Sequence, residues 1–140
     1  MAERLEAKHR GGTVLAARKI EYGEDDDPVE ICFDRGWSDG LPVTPPTDAR
    51  MMSMLAGTQR RPDEVIGEIP PYLADCTFDK VAINSVMAGC KPEYLPVVLA
   101  ALEAALEPVF TLHGVLATTY FSSPVIIVNG PIAKRIGMNS

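Results

Sequence analysis

The stretch Ile83–Val98, INSVMAGCKPEYLPVV, joins two apolar segments through a Gly-Cys pair and a proline. Glycine commonly follows the C-terminus of a helix, and proline is favoured in the first helical turn. We therefore predict a helix that ends at Gly89 and a second helix that begins at Pro92. Apolar residues from Leu95 to Leu106 recur with the 3.6-residue spacing of one helix face, so the second helix is expected to bury that face.

Cys90 falls between these two predicted helices, within two residues of the start of the second. The free N–H groups and partial positive charge of a helix N-terminus favour the thiolate form of a nearby cysteine. Cys90 is therefore a candidate nucleophile or redox-active thiol. The alternative is a small buried residue that fills a tight corner between two helices.

The charges and apolar residues divide the chain into an arm and one domain. The chain is 46% hydrophobic and 23% charged, which is typical of a folded protein. Residues 1–20 carry five basic and two acidic residues, whereas residues 21–39 carry eight acidic residues and one arginine. We predict a flexible charged N-terminal arm over residues 1–26 and a single domain over residues 27–140. The net charge of -6 argues against a nucleic-acid partner.

Capping residues and prolines predict the elements upstream of the opening stretch. Asp27 and Pro28 are typical of a helix start, and Thr47 favours a second helix through about Leu55. The proline-rich residues 38–47 predict a stiff loop, and a short extended piece is expected before Pro70-Pro71. Thr77 is the expected N-cap of the helix that ends at Gly89, although Val81 and Ile83 leave a strand as the alternative.

The C-terminal third has a different pattern. Residues 114–121 are rich in β-branched and aromatic residues, and residues 125–128 (VIIV) are fully apolar, so both segments predict strands. Pro131 is expected to start a last helix. These elements indicate an α/β or α+β domain with several helices and a short buried sheet. Because a buried strand needs neighbours, we expect a partner chain or oligomerisation to complete the domain.

Candidate site residues follow from chemistry and position. His113 is predicted to lie in a loop beside a strand, where it is a candidate acid or base, or else a surface or core histidine. Asn129 and Gly130 follow the predicted strand 125–128 and precede a helix, an arrangement that binds anions in α/β folds but also forms plain turns.

Three more residues are candidate substrate contacts. Asn84 and Thr118 are polar groups within apolar segments and need hydrogen-bond partners, which are either neighbours or a substrate. Trp37 lies in the loop GWSDGLP, where it either covers a site or anchors the loop on the core.

The three cysteines bear on metals and on the cellular compartment. They lack the close-pair spacing of a zinc site, so we predict no metal, and the sequence indicates no particular cofactor. The number of cysteines is odd, and the sequence has no secretory signal and no apolar run long enough to span a bilayer. We therefore predict a cytoplasmic protein without a membrane partner.

Five segments carry a resemblance to a known family: RGWSDGLPVTPPT, DEVIGEIPP, KVAINSVMAGCKPEYLPVVLAALEA, LHGVLATT and VIIVNGP. In this order they resemble the N-terminal part of a poorly characterised bacterial family encoded beside small proteins with a selenocysteine-Gly-Ser-Cys (UGSC) or Cys-Gly-Ser-Cys tetrapeptide. The resemblance spans about residues 28–140, and the blocks around Cys90 and Asn129 are its most distinctive parts. This chain lacks the tetrapeptide, and longer family members continue past GMNS. The resemblance therefore implies a partner, either a UGSC-type protein or the missing C-terminal continuation.

These observations lead to one leading hypothesis and two alternatives. The leading hypothesis is a subunit of a multi-chain oxidoreductase or lyase that acts on a small molecule by thiol-dependent redox, addition or elimination chemistry. Cys90 would be the nucleophile, His113 the acid or base, and Asn84 and Asn129 the groups that orient the substrate. The alternatives are a non-catalytic assembly subunit that completes a partner's fold and a small-ligand binding module.

Overall fold

A computed structural model of the chain describes Leu15 and residues 17–138. The described part is a small mixed domain of helices and one two-stranded sheet, of the α+β kind. Short 3-10 turns at Pro92–Tyr94 and Pro108–Phe110 precede two of the helices. The regular elements in chain order are α1 (Pro28–Asp34), α2 (Asp48–Leu55), β1 (Val65–Ile69), β2 (Ala74–Thr77), α3 (Phe78–Met87), α4 (Leu95–Leu106), α5 (Leu112–Ala117) and α6 (Pro131–Arg135).

The first two helices begin at the predicted caps. The Asp27 carboxylate accepts a hydrogen bond from the Val29 N–H at 2.8 Å, and the Thr47 hydroxyl accepts one from the Arg50 N–H at 3.5 Å. Each bond satisfies an N–H group that has no partner within the first helical turn. The predicted starts of α1 and α2 are thereby confirmed.

The junction between α3 and α4 has the predicted form of a helix end followed by a helix start. Gly89 has a φ of 76°, its N–H donates to the Val86 carbonyl at 2.9 Å, and the Cys90 N–H donates to the Ser85 carbonyl at 2.9 Å. These two bonds define a Schellman motif, which terminates a helix through a residue of left-handed conformation. The chain then enters a 3-10 turn at Pro92 and continues into α4.

The sheet is an antiparallel hairpin of β1 and β2, with Glu68 opposite Asp75 and Ile69 opposite Ala74. The extended piece predicted before Pro70-Pro71 is β1, whereas the pattern did not predict its partner β2. Helix α4 packs closely on β1, since a Cβ atom added at Gly67 would lie 2.8 Å from Leu106 Cδ1. The hairpin is thus covered on one side by α4.

The hydrophobic core lies between α2, α3, the first half of α4 and the hairpin. Phe78, at the start of α3, is 0% exposed and is the largest fully buried side chain of the described residues. None of the described residues after Leu99 is buried. The core consists of Met51, Met54, Cys76, Phe78, Val81, Ala82, Val86, Leu95 and Leu99.

The prediction of two strands in the C-terminal third is wrong. Residues 112–117 form α5, and residues 125–128 adopt no regular structure, with Val125 84% exposed and Ile127 78% exposed. A strand needs a neighbour for its backbone hydrogen bonds, and the described residues provide none for this segment. The predicted short buried sheet is therefore replaced by the half-exposed hairpin, and completion by a partner chain stays a prediction.

The N-terminal arm is described only in part, because residues 1–14 and 16 lie outside the described residues. Leu15 packs against the core, and the Lys19 ammonium pairs with the Asp48 carboxylate at 2.8 Å. The predicted flexibility of residues 1–26 stays a prediction. Among the described helices no single one is long and apolar enough to cross a bilayer; the bent pair 92–106 and 108–117, at 70° to each other, meets the length and composition of a broken span.

Candidate functional site

Cys90 is the most accessible of the three thiols. It is half-buried beside the core, whereas Cys32 and Cys76 are only 3% and 9% exposed. Burial raises the pKa of the Cys32 and Cys76 thiols, because a thiolate is poorly solvated inside the protein. The Schellman motif fixes the Cys90 backbone directly after α3. Cys90 thus has a defined backbone position and is the least buried of the three cysteines.

His113 is exposed on α5, in a helix rather than in the predicted loop beside a strand. Thr111, with a φ of 55°, ends the preceding 3-10 turn and sets the chain into α5. Half-buried Leu112 and Val115 form the inner side of this helix. The strand preference of β-branched residues depends on context, so it does not decide the structure of this segment.

Asn84 and Thr118 find their hydrogen-bond partners within their own segments. The Asn84 amide donates to the Lys80 carbonyl at 2.8 Å, one turn earlier in α3. The Thr118 hydroxyl accepts a bond from the Tyr120 N–H at 3.1 Å. Both residues are exposed. Of the two predicted kinds of partner, a neighbour or a substrate, the observed hydrogen bonds are to neighbours.

Asn129 and Gly130 precede α6, as predicted, but they follow an irregular segment rather than a strand. Gly130 has a φ of 85°, a conformation that favours glycine, and it is the N-cap of a helix of only five residues. Asn129 is exposed and lines a cavity beside α4.

Trp37 is held at the end of α1. Its backbone N–H donates to the Cys32 carbonyl at 3.0 Å, and the Arg35 guanidinium lies 5.7 Å from the centre of its ring. The side chain is 41% exposed and lines neither of the two cavities described below. This geometry matches a cation-π contact on the surface of α1.

The larger cavity, about 490 Å³, lies between α4 and residues 124–129. Four alanines form its α4 wall, namely Ala100, Ala101, Ala104 and Ala105. Asn129 is the only predicted site residue that lines it, and no charged side chain does. A charged substrate would therefore find no ionic partner in this cavity.

The smaller cavity, about 300 Å³, lies where α4 meets the end of α2. Its charged lining residues are already paired, because the Arg60 guanidinium contacts the Glu103 carboxylate at 2.7 Å. Arg60 also lies 3.5 Å from the Glu64 carboxylate. None of the predicted site residues lines this cavity, so neither cavity brings Cys90 and His113 together.

The most unusual surface is an apolar one in the C-terminal third. Seven large apolar side chains there are each more than half exposed. Residues 108–133 contain no Lys, Arg, Asp or Glu, and this uncharged run is the sequence signal that could have revealed the surface. We call it the C-terminal apolar surface; it consists of Val109, Leu116, Tyr120, Phe121, Val125, Ile126 and Ile127.

Neither a metal site among the described residues nor a similar known protein indicates a chemical reaction for this chain. Within Leu15 and residues 17–138, no group of three or more His, Cys, Asp or Glu side chains is placed to hold a metal ion. The chain matches no protein-family model, no curated protein and no solved structure.

Proposed function

We propose that the protein is an assembly subunit, which completes a larger unit through its C-terminal apolar surface. The observation that carries this proposal is the exposure of adjacent Tyr120 and Phe121 (83% and 101%) together with Val125, Ile126 and Ile127. Two aromatic rings of about 150–250 Å² and five aliphatic side chains of about 100 Å² together expose on the order of 600–900 Å². Exposed apolar side chains mark an interaction site where they adjoin, as Tyr120 and Phe121 do with ring centres 6.4 Å apart.

The distribution of the polar candidates also favours assembly over catalysis. Cys90 and His113 share neither cavity, and the larger cavity has no charged side chain in its lining. Asn84 and Thr118 bond to their own neighbours. The resemblance to a family encoded beside UGSC-type proteins supports a multi-chain unit as well. Three free cysteines support the cytoplasm as its setting.

The test is the mass of the unit that contains this chain in the cell. We expect the untagged protein, taken from the cells that make it, to sediment as a complex larger than 15.1 kDa. Phe121→Asp combined with Ile127→Asp should dissociate the complex, because both introduced carboxylates would be buried in the contact. Phe33→Asp is the matched control, since Phe33 is 53% exposed on α1, outside the surface. A native 15.1 kDa species that the double substitution leaves unchanged would contradict the proposal.

A second candidate function is thiol chemistry at Cys90, as a subunit of an oxidoreductase or lyase. The observation that favours it is the accessibility of this thiol compared with Cys32 and Cys76. The rate of alkylation of Cys90 as a function of pH tests it, with Cys90→Ser as the blank. A rate profile equal to that of a cysteine in an unstructured peptide would count against a catalytic thiol.

A further inference from the structure

We propose that the C-terminal apolar surface binds a second copy of this chain, with residues 125–128 of the two copies paired as antiparallel strands. The inference rests on the proposed function, since it names the partner of the same surface. Strand addition of this kind satisfies backbone groups at an open edge, while the side chains on both faces become buried.

The backbone of residues 125–128 is available for such pairing. No N–H or carbonyl group of Val125, Ile126, Ile127 or Val128 forms a hydrogen bond with any described residue. All four residues are β-branched, which favours extended structure. Val128 is half-buried, whereas the other three are exposed. The segment therefore has an open edge and an uncovered face.

The exposed area agrees with what a dimer needs. A standard protein–protein interface buries about 800 Å² on each partner. The surface exposes on the order of 600–900 Å² of apolar side chain. The summed area is thus of the size that one partner buries in a standard interface.

Charge and symmetry favour a copy of the same chain over a different partner. Each copy carries a net charge of -6, so two copies repel each other at long range. Residues 108–133 carry no charged side chain, so a contact made there brings no like charges together. A charged partner would find no ionic complement there. Two antiparallel strands related by a two-fold axis make identical bonds in both directions, so the segment is its own complement.

The experiment measures dimerisation of the purified full-length chain by sedimentation over a range of concentrations. We expect a dimer of twice the 15.1 kDa chain mass. In an antiparallel pairing of residues 125–128, Ile126 of one copy lies opposite Ile127 of the other. Ile126→Lys and Ile127→Glu should therefore each weaken dimerisation about hundredfold or more, because each leaves an unpaired charge against an apolar side chain. An equal mixture of the two variants should dimerise again, since opposite charges then meet. Val65→Lys is the control for added charge, because Val65 is 51% exposed on β1, outside the surface.

Hydrogen exchange distinguishes strand pairing from other contacts. The amides of residues 125–128 should exchange slowly in the dimer and rapidly in the monomeric Ile126→Lys variant. Rapid exchange in the dimer, or failure of the mixed variants to recover dimerisation, would overturn the pairing. A chain that stays monomeric alone but occurs in a complex in the cell would overturn the second copy as partner, while the assembly function would stand. A monomer in both settings would overturn both.

Discussion

Two regions of the chain contain similar side chains in opposite surroundings. In the packed region, residues 47–106, Phe78 is 0% exposed; in the C-terminal region, residues 107–138, Phe121 is 101% exposed. The difference shows that apolar side chains are buried only where a second layer of structure packs against them.

The packed region has this second layer. Helices α2, α3 and α4 enclose the core together with the hairpin. In the C-terminal region α5 has six residues and α6 has five, too few for either helix to be stable without packing. No described residue of that region is buried. The C-terminal region therefore has the composition of a core and the exposure of a surface.

Truncation of matched phenylalanines should give the largest contrast between the two regions. Phe78→Ala should lower the free energy of unfolding by about 3–5 kcal/mol, because it leaves a cavity in the core. Phe121→Ala should change it by less than about 0.5 kcal/mol in the monomer, since the ring is already in water. Urea unfolding followed by circular dichroism measures both, at concentrations low enough to keep the chain monomeric.

The control for this pair is the dependence on protein concentration. If Phe121→Ala lowers stability only at high concentration, its contribution arises from assembly and not from the monomer fold. If both variants lowered the free energy of unfolding equally at low concentration, the contrast between the two regions would be contradicted, because Phe121 would then belong to a packed core. If Phe78→Ala fails to fold, Phe78→Leu should show a smaller loss in the same direction.

The sequence predicts the packed region better than the C-terminal one, and the reason is physical. Helix caps and stops are local, so Asp27, Thr47 and Gly89 indicate their helix boundaries from a few neighbouring residues. The second hairpin strand and the fate of residues 125–128 depend on which distant segment comes alongside. The spacing of residues within a segment does not contain that information. Residues 125–128 therefore resemble a buried strand, although Val125, Ile126 and Ile127 are exposed.

The same limit applies to the candidate site. Polar residues such as Asn84 and Thr118 are easy to recognise in an apolar context, but their partners are visible only in three dimensions. The position of Cys90 after a helix end is predictable because the Schellman motif is local. Whether His113 or Asn129 cooperates with it depends on tertiary placement, and only Asn129 lines a described cavity.

Matched threonines should give an intermediate contrast. The Thr77 hydroxyl donates to the carboxylate of Asp79, which is 1% exposed at the start of α3. Thr77→Val should lower the free energy of unfolding by about 1.5–3 kcal/mol, because a buried carboxylate loses a hydrogen bond. Thr118→Val removes an exposed bond in the C-terminal region and should cost less than about 0.5 kcal/mol.

The same urea titration compares these two threonine variants, and Thr77→Ser separates the hydroxyl from the methyl group. Thr77→Ser should retain most of the stability if the hydrogen bond is the cause. Because Thr77→Val keeps a methyl group, a loss in Thr77→Ser as large as that in Thr77→Val would show that methyl packing contributes as much as the hydroxyl. No loss in Thr77→Val would contradict the role of the hydrogen bond.

The smallest contrast concerns two glycines with the same local geometry. Gly89 after α3 and Gly137 after α6 both have a φ of 76°, and each donates the short-range bond of a Schellman motif. Alanine in this conformation costs about 1–2 kcal/mol, partly offset by the reduced freedom of the unfolded chain.

Gly89→Ala should therefore lower global stability by about 1 kcal/mol, because α3 forms part of the core and cannot unwind alone. Gly137→Ala should leave global stability unchanged and instead accelerate hydrogen exchange of the α6 amides, since α6 buries no side chain and opens locally. Identical strain would thus appear as global destabilisation in one region and as local opening in the other. Equal global losses for the two variants would show that α6 is coupled to the core in the monomer. In that case the C-terminal region would be a packed part of the fold before any partner binds.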